Sequence, residues 1–215
     1  MNIFNKYPYI VVEGPIGSGK STLAKLLADQ FNANIFSEKA ERNPFLPKFY
    51  EDMSHYALPT QLFFLFQRAN QLNELKQKDF FNNGVIADFF LQKDPIFARL
   101  NLDNEEFKLY VQIYKHLELK APIPDLVIYL QTPVDLLRRR VAKRNIGYEQ
   151  KISTEYLERI AESYSAYFHN EHISNVLIVN NEDLDFLDDK SNLNMLIERI
   201  LSITSIREYF NPRLT

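Results

Sequence analysis

Ten consecutive residues, Glu13 to Thr22, read EGPIGSGKST. Gly14, Pro15, Ile16, Gly17, Ser18, Gly19, Lys20 and Ser21 fill the pattern G-x-x-x-x-G-K-[ST], with Thr22 next in line. Glycines let a backbone curl until successive N–H groups point inward at phosphate oxygens. A helix opening directly after them brings its positive end to the same place. Lys20 is then placed to neutralise the β- and γ-phosphates of ATP, and Ser21 to set its hydroxyl on Mg²⁺. The plainer reading is a glycine turn ahead of an ordinary helix. The full match, with an apolar run before it and a helical pattern after it, favours the phosphate loop.

Such a loop is shared by kinases, GTPase switches and motor ATPases, so the acceptor has to be sought among other side chains. Two acids close apolar runs, Glu38 after Asn-Ile-Phe-Ser and Asp88 after Val-Ile-Ala. Asp88 is the candidate general base for an attacking hydroxyl, a Mg²⁺ ligand beside Ser21, or both. Glu38 can do the same or receive a substrate hydroxyl. The structural alternative for Asp88 is a helix N-cap.

Gln61 and Arg68 stand seven residues apart in one helical segment, hence two turns apart on nearly one face. An amide that donates and accepts at once suits a nucleobase edge, and a guanidinium fork can hold a carboxylate such as Asp94. Taken alone, both would read as solvent-facing helix residues. The stretch RRRVAKRNIGYEQ (138–150) clusters five arginines and lysines between Arg138 and Arg144. After a strand of a phosphate-loop sheet, it reads as a mobile basic lid over the transferring phosphate rather than a solvated face.

The elements that must position these groups follow from apolar patterning. Tyr9–Glu13, 85–88, 125–130 and 176–180 read as buried parallel strands, with a weaker fifth over 34–38. Helical spacing links Leu23, Leu26, Leu27 and Phe31; Pro59 opens a long helix to about Lys78; further helices are predicted over 153–168 and 194–210. Strand and helix alternation of this kind predicts an open, doubly wound, five-stranded parallel sheet in a single α/β domain spanning 1–215.

The chain has 215 residues, 46% of them hydrophobic, a formal charge of −3 and no cysteine. That balance advertises neither nucleic acid nor a membrane as partner. It excludes disulfides and cysteine-ligated zinc and fits a reducing, cytoplasmic setting. No secretory signal is recognisable at the N-terminus, and the run LFFLF (62–66) is too short to span a bilayer. His169 and His172 read as surface histidines rather than metal ligands.

Together these residues resemble the deoxynucleoside kinase family, which uses ATP to phosphorylate the 5′-hydroxyl of deoxynucleosides. The similarity runs from the phosphate loop to about Phe186 and is carried by SEKAERNPFLPKFYED, QLFFLFQR, ADFFLQKDPIFAR and PDLVIYLQTP with the basic stretch after it. The resemblance implies the P-loop kinase fold and Asp88 as general base, with Glu38 near the 5′-hydroxyl. It implies Tyr50 and Glu149 on the sugar 3′-hydroxyl, and Gln61 on the base edge with Arg68 and Asp94 behind it. Phe97 would stack on the base, and Arg140 and Arg144 would sit at the phosphates. It further implies a homodimer, through Leu62 and Phe66 or the aromatic face of 156–168.

Three departures stand out. Phe89 and Phe90 follow Asp88 where the family carries Arg then Ser, so the lid is expected to supply more of the positive charge. Ile146 replaces a second lid arginine, and the stretch from Asp88 to Phe97 is one residue shorter than in animal relatives. The pattern is similar to a bacterial branch that prefers deoxyadenosine, with deoxyguanosine or deoxycytidine as alternatives, and the Arg68–Asp94 pair disfavours thymidine.

Two rivals remain at this level. A thymidylate kinase-like enzyme needs extra basic residues for its acceptor's phosphate, where this chain has Glu38 and Phe89. A GTPase switch is echoed by NNED (180–183), but Asn181 replaces the lysine of its guanine signature, and no D-x-x-G follows Asp88.

Overall fold

Each core strand is apolar on both faces because helices cover both sides of the sheet. The computed structural model describes residues 2–77, 83–117, 122–170, 174–187 and 189–212. Strands β1 (Tyr9–Glu13), β2 (Asn34–Phe36), β3 (Val85–Ala87), β4 (Leu126–Gln131), β5 (Asn175–Asn180) and β6 (Arg207–Phe210) form one sheet in the order β2-β3-β1-β4-β5-β6. Every pairing is parallel. Val11, Val85, Ala87, Val127, Tyr129 and Ile178 face one layer, packed with helices α3 (Met53–Gln77), α4 (Asp94–Asn101), α5 (Asn104–His116) and α7 (Thr154–Asn170). Ile10, Val12, Ile86, Ile128, Leu130 and Leu177 face the other, with α1 (Lys20–Phe31) and α8 (Lys190–Ser202). Short α2 (Leu46–Phe49) and α6 (Val134–Arg144) complete the helices used below. The strand order turns from one side of β1 to the other, and in open sheets ligands bind beyond the carboxyl ends at such a reversal.

The sheet has six strands, not five. The helix expected over 194–210 ends at Ser202, and Arg207–Phe210 adds beside β5 with Val176 opposite Arg207. Ile203, Thr204 and Ile206 are β-branched and weaken a helix there. The Glu208 carboxylate accepts from the Thr204 and Ser205 N–H groups at 2.6 and 2.8 Å and holds the reversal.

Helix α3 begins at Met53, so Pro59 lies inside it rather than at its start. Asp52 accepts from the His55 N–H at 3.2 Å and starts the helix earlier. His55, whose carbonyl loses a donor to Pro59, is exposed. Lys78, the expected end, lies outside the described residues. No helix among the described residues is long and apolar enough to cross a membrane.

Candidate active site

The loop between β1 and α1 folds back on itself, with the Ser18 N–H donating to the Pro15 carbonyl at 3.0 Å. Gly17 has φ 86°, and a Cβ there would stand 2.8 Å from the Leu137 carbonyl, so only glycine lets the loop touch α6. Gly19 caps α1 at φ 91° with open space around it, leaving room for a phosphate against the backbone. The Ser18 carbonyl accepts from Arg140 Nη1 at 3.0 Å and from Asn181 Nδ2 at 2.8 Å. A planar peptide fixed at its oxygen is fixed at its N–H, so these donors also aim the Gly19 N–H.

Two cavities meet at this loop. One, of about 440 Å³, is bounded by Gly17, Ser18, Gly19, Lys20, Ser21 and Thr22, opposite Arg140 and Lys143 of α6 and the 184–187 stretch. The other, of about 250 Å³, runs away from Lys20 and Ser21 between α3, α4 and the turn after α6. Gly17, Lys20, Ser21 and Arg144 belong to both. Gly14 and Pro15 line neither; they shape the bend, and a Cβ on Gly14 would meet Ser18 Oγ at 2.5 Å.

The two acids Asp88 and Glu38 have different surroundings. Asp88 is 1% exposed and stays out of the cavity wall. Its Oδ1 accepts the Glu38 N–H at 2.6 Å, and its carboxylate hydrogen-bonds the Ser21 side chain. Burial pushes its pKa above the usual aspartate range, against the Ser21 bond, the Glu38 N–H and the charge of Lys20. Glu38 does line the smaller cavity. Burial would raise its pKa, but Arg68, Lys93 and Lys20 hold it below the usual glutamate value. The Asp88 oxygens are thus turned to Ser21 and the Glu38 backbone, while Glu38 faces the cavity.

At the inner end Gln61, Arg68 and Phe97 share the wall. Arg68 pairs with Asp94 and also with Glu38, where Nε lies 2.9 Å from Oε1. Asp94 is fully buried behind Arg68 and takes the Tyr110 hydroxyl at 2.7 Å, so it positions Arg68 without reaching the cavity. The Phe97 ring meets Tyr164 edge-on at 5.7 Å.

Toward the mouth, Tyr50 stacks on Tyr148 with ring centroids 6.1 Å apart. Glu149, 8% exposed, binds Arg144 with Nε 3.0 Å from Oε2. The basic lid is thus the carboxyl half of α6 plus a 3-10 turn over Gly147–Lys151. Arg140 and Arg144, one helical turn apart, border the loop's cavity; Arg140 is half-buried, while Arg144, like Arg138 and Arg139, is exposed. In this arrangement Arg140 clamps the Ser18 carbonyl and the Leu184 carbonyl rather than standing free.

Sequence reasoning missed a buried cluster under the site. Lys93 Nζ lies 2.7 Å from Glu13 Oε2 and donates to the Tyr164 hydroxyl at 2.6 Å. The one available signal was Glu13 itself, a charge closing an otherwise apolar strand. It also missed the role of Asn181, which gives its amide to Ser18 and to Thr132 Oγ1 at 2.9 Å. The NNED stretch is therefore a loop clamp, with Asn180 Oδ1 accepting the Glu182 N–H. His169 Nδ1 meets the Tyr209 hydroxyl at 3.3 Å, tying α7 to β6; His172 lies outside the described residues.

The deoxynucleoside kinase family profile matches residues 10–205. The deoxyguanosine kinase of Bacillus subtilis is 33% identical over 91% of this chain and 97% of its own. The deoxyadenosine kinase of Lactobacillus acidophilus is 31% identical over 83% and 87%. The solved structure of deoxyadenosine kinase from M. mycoides with products dCMP and a flexible dCDP bound matches with a TM-score of 0.79 at 26% identity, covering 91% of this chain and 100% of that one. A phosphate loop, a second cavity opening from its lysine and these relatives agree: the chain belongs to the deoxynucleoside kinase family, phosphotransferases that act on a hydroxyl group.

Proposed function

We propose that the protein transfers the γ-phosphoryl of ATP to the 5′-hydroxyl of a deoxynucleoside, deoxyadenosine first and deoxyguanosine or deoxycytidine next, in nucleotide salvage. The observation that carries this reading is the junction of two cavities at Lys20, Ser21 and Arg144. Triphosphate in the larger cavity would present its last phosphorus to whatever fills the smaller one.

The smaller cavity suits a nucleoside. Gln61 offers a donor and an acceptor to a base edge, Phe97 an aromatic face, and Tyr50 with Glu149 two oxygens for a sugar hydroxyl. Glu38, beside Lys20 on the cavity side, takes the proton of the 5′-hydroxyl. Proximity comes before basicity here, since phosphoryl transfer asks mainly for positioning and charge stabilisation. Asp88 and Ser21 together offer hard oxygen donors, a set that fits Mg²⁺ held partly by phosphates and water. When bound, that ion would draw negative charge from the phosphate oxygens. Lys20 and Arg144 do the same from the protein, and Arg140 with Asn181 keeps the loop in shape.

The names of relatives support a purine or deoxycytidine acceptor: deoxyguanosine kinase and deoxyadenosine kinase above, and a deoxyadenosine/deoxycytidine kinase of Bacillus subtilis at 28% identity. A monophosphate acceptor would bring its own phosphate against Glu38, which disfavours the thymidylate kinase-like reading. Exposed Phe66 on α3 and Leu109 on α5, 47% and 46% accessible, support the homodimer. The 156–168 face cannot serve it, because Tyr156, Leu157, Ile160, Tyr164 and Phe168 are buried in the core.

The test is an acceptor panel with ATP and Mg²⁺: deoxyadenosine, deoxyguanosine, deoxycytidine and thymidine against dAMP and dTMP. Conversion of deoxyadenosine to dAMP supports the reading. Diphosphates formed from dAMP or dTMP, with nucleosides untouched, would reject it.

A further inference from the structure

Lys93 is a cation of the acceptor cavity that the functional reading leaves without a task. It is 2% exposed, sits in the 3-10 turn Leu91–Lys93 leading into α4, and still contributes to the cavity wall. Its ammonium lies 2.5 Å from Glu13 Oε1 and 2.6 Å from the Tyr164 hydroxyl, and 5.4 Å from the centre of the Phe97 ring. Glu13 is fully buried one residue before the phosphate loop, where its carboxylate also accepts the Gly14 and Phe90 N–H groups at 3.0 and 2.7 Å. Lys93 therefore ties the acceptor cavity to the root of the loop.

A buried lysine–glutamate pair is an expensive way to close the end of a sheet, since packed apolar side chains often hold such a place as well or better. A charge kept there makes sense if the cavity uses its field. The charged groups around it are Glu13 from β1, Lys20 from α1, Arg68 from α3 and Glu38 beyond β2, with Tyr164 from α7. Among the described residues, the other cations in the wall are Lys20, placed for the phosphates, Arg68, shared between two carboxylates, and Arg144, held by Glu149. Phe89 and Phe90, which follow Asp88, are packed in the core and bring no charge.

We propose that Lys93 is a positioning residue for phosphoryl transfer, supplying from beneath the cavity the fixed positive charge that holds Glu38 and the incoming hydroxyl toward the phosphorus on Lys20. Preorganised charge of this kind acts without reorganising during the reaction. The proposal rests on the reading of Glu38 given above. It also adds a second source of positive charge to the lid, which was expected to supply more of it in place of the absent arginine.

Removing Lys93 by itself strands a buried Glu13, so the informative variant is the double Glu13→Gln/Lys93→Met, which removes both charges. It is expected to melt near the wild-type temperature and to keep both KM values within about threefold, with kcat at least about tenfold lower. Wild-type kcat in that double variant would show the pair to be structural and overturn the proposal. Lys93→Arg and Lys93→Gln, which both keep a donor for Glu13, give a second reading if the double variant does not fold. The arginine variant should stay within about threefold of wild type and the glutamine variant fall about tenfold; equal turnover in the two would overturn the proposal. Glu38→Gln, assayed alongside, separates the two levels. Loss of turnover there with a fully active double variant sinks only the role of Lys93, whereas an active Glu38→Gln sinks the reading beneath it and this proposal together.

Discussion

The Glu38 N–H donates to Asp88 Oδ1 at 2.6 Å, so two carboxylates from neighbouring strand ends are locked side by side yet face different ways. Asp88 turns to Ser21, Glu38 to Arg68 and the cavity. Pairs of acids held in unlike surroundings are how one site divides two tasks. Glu38→Gln should therefore lower kcat by about 10²- to 10⁴-fold with the KM for ATP little changed. Asp88→Asn should lower kcat as well, but with a raised Mg²⁺ requirement, read from turnover against Mg²⁺ concentration. Identical Mg²⁺ curves for the two variants would show that the tasks are not divided.

Arg68 is 4% exposed and serves Asp94 and Glu38 at once. Arg68→Met leaves the buried Asp94 and the partly buried Glu38 without their shared cation. Breaking a buried pair from one side costs about 3–5 kcal/mol, so the variant should unfold well below the wild-type temperature in a thermal melt. Wild-type stability would mean that Asp94 and Glu38 are neutral or solvated in the folded protein.

Glu149 holds Arg144, yet it is also the residue assigned to the sugar 3′-hydroxyl. A charged hydrogen bond to that hydroxyl contributes about 1.5–3 kcal/mol, roughly a ten- to hundredfold preference for deoxyadenosine over 2′,3′-dideoxyadenosine in kcat/KM. Glu149→Ala should lose most of that preference. A variant that discriminates as strongly as wild type would leave Glu149 as a partner of Arg144 alone.

Asn181 Nδ2 lies 2.8 Å from the Ser18 carbonyl. Asn181→Ala removes one of the two clamps on that peptide, a loss of about 1 kcal/mol, or roughly fivefold in the KM for ATP. The nucleoside KM should stay near wild type, because Asn181 does not line the acceptor cavity. Equal changes in both would point to a general loosening of the fold.

How much of this was legible in the sequence depended on the kind of signal. The phosphate loop and the five core strands follow from spacing and apolar runs, and the structure has them. Gln61, Arg68 and Phe97 line the cavity, yet spacing alone left the first two facing solvent and said nothing of the third. The sixth strand was hidden because Ile203, Ile206 and Phe210 fit a helical stripe as well as an edge strand; pairing with β5 decides it. Pro59 misled because a proline so often sits at the first turn of a helix, while Asp52 had already capped α3. The division between Glu38 and Asp88 was not readable, since both close a strand and only the parallel register brings the Asp88 carboxylate under the Glu38 N–H. Burial of Lys93 carries no pattern at all: a lysine two residues from a proline reads as surface until α7 is seen to cover it with Tyr164.

The most direct test of phosphoryl transfer to a sugar hydroxyl uses γ-labelled ATP, Mg²⁺ and deoxyadenosine, followed by enzymatic identification of the labelled position. The account predicts one label per ATP consumed, carried on the 5′-oxygen, and little ATP turnover when deoxyadenosine is omitted. Label released as inorganic phosphate at the same rate with or without the nucleoside would contradict it.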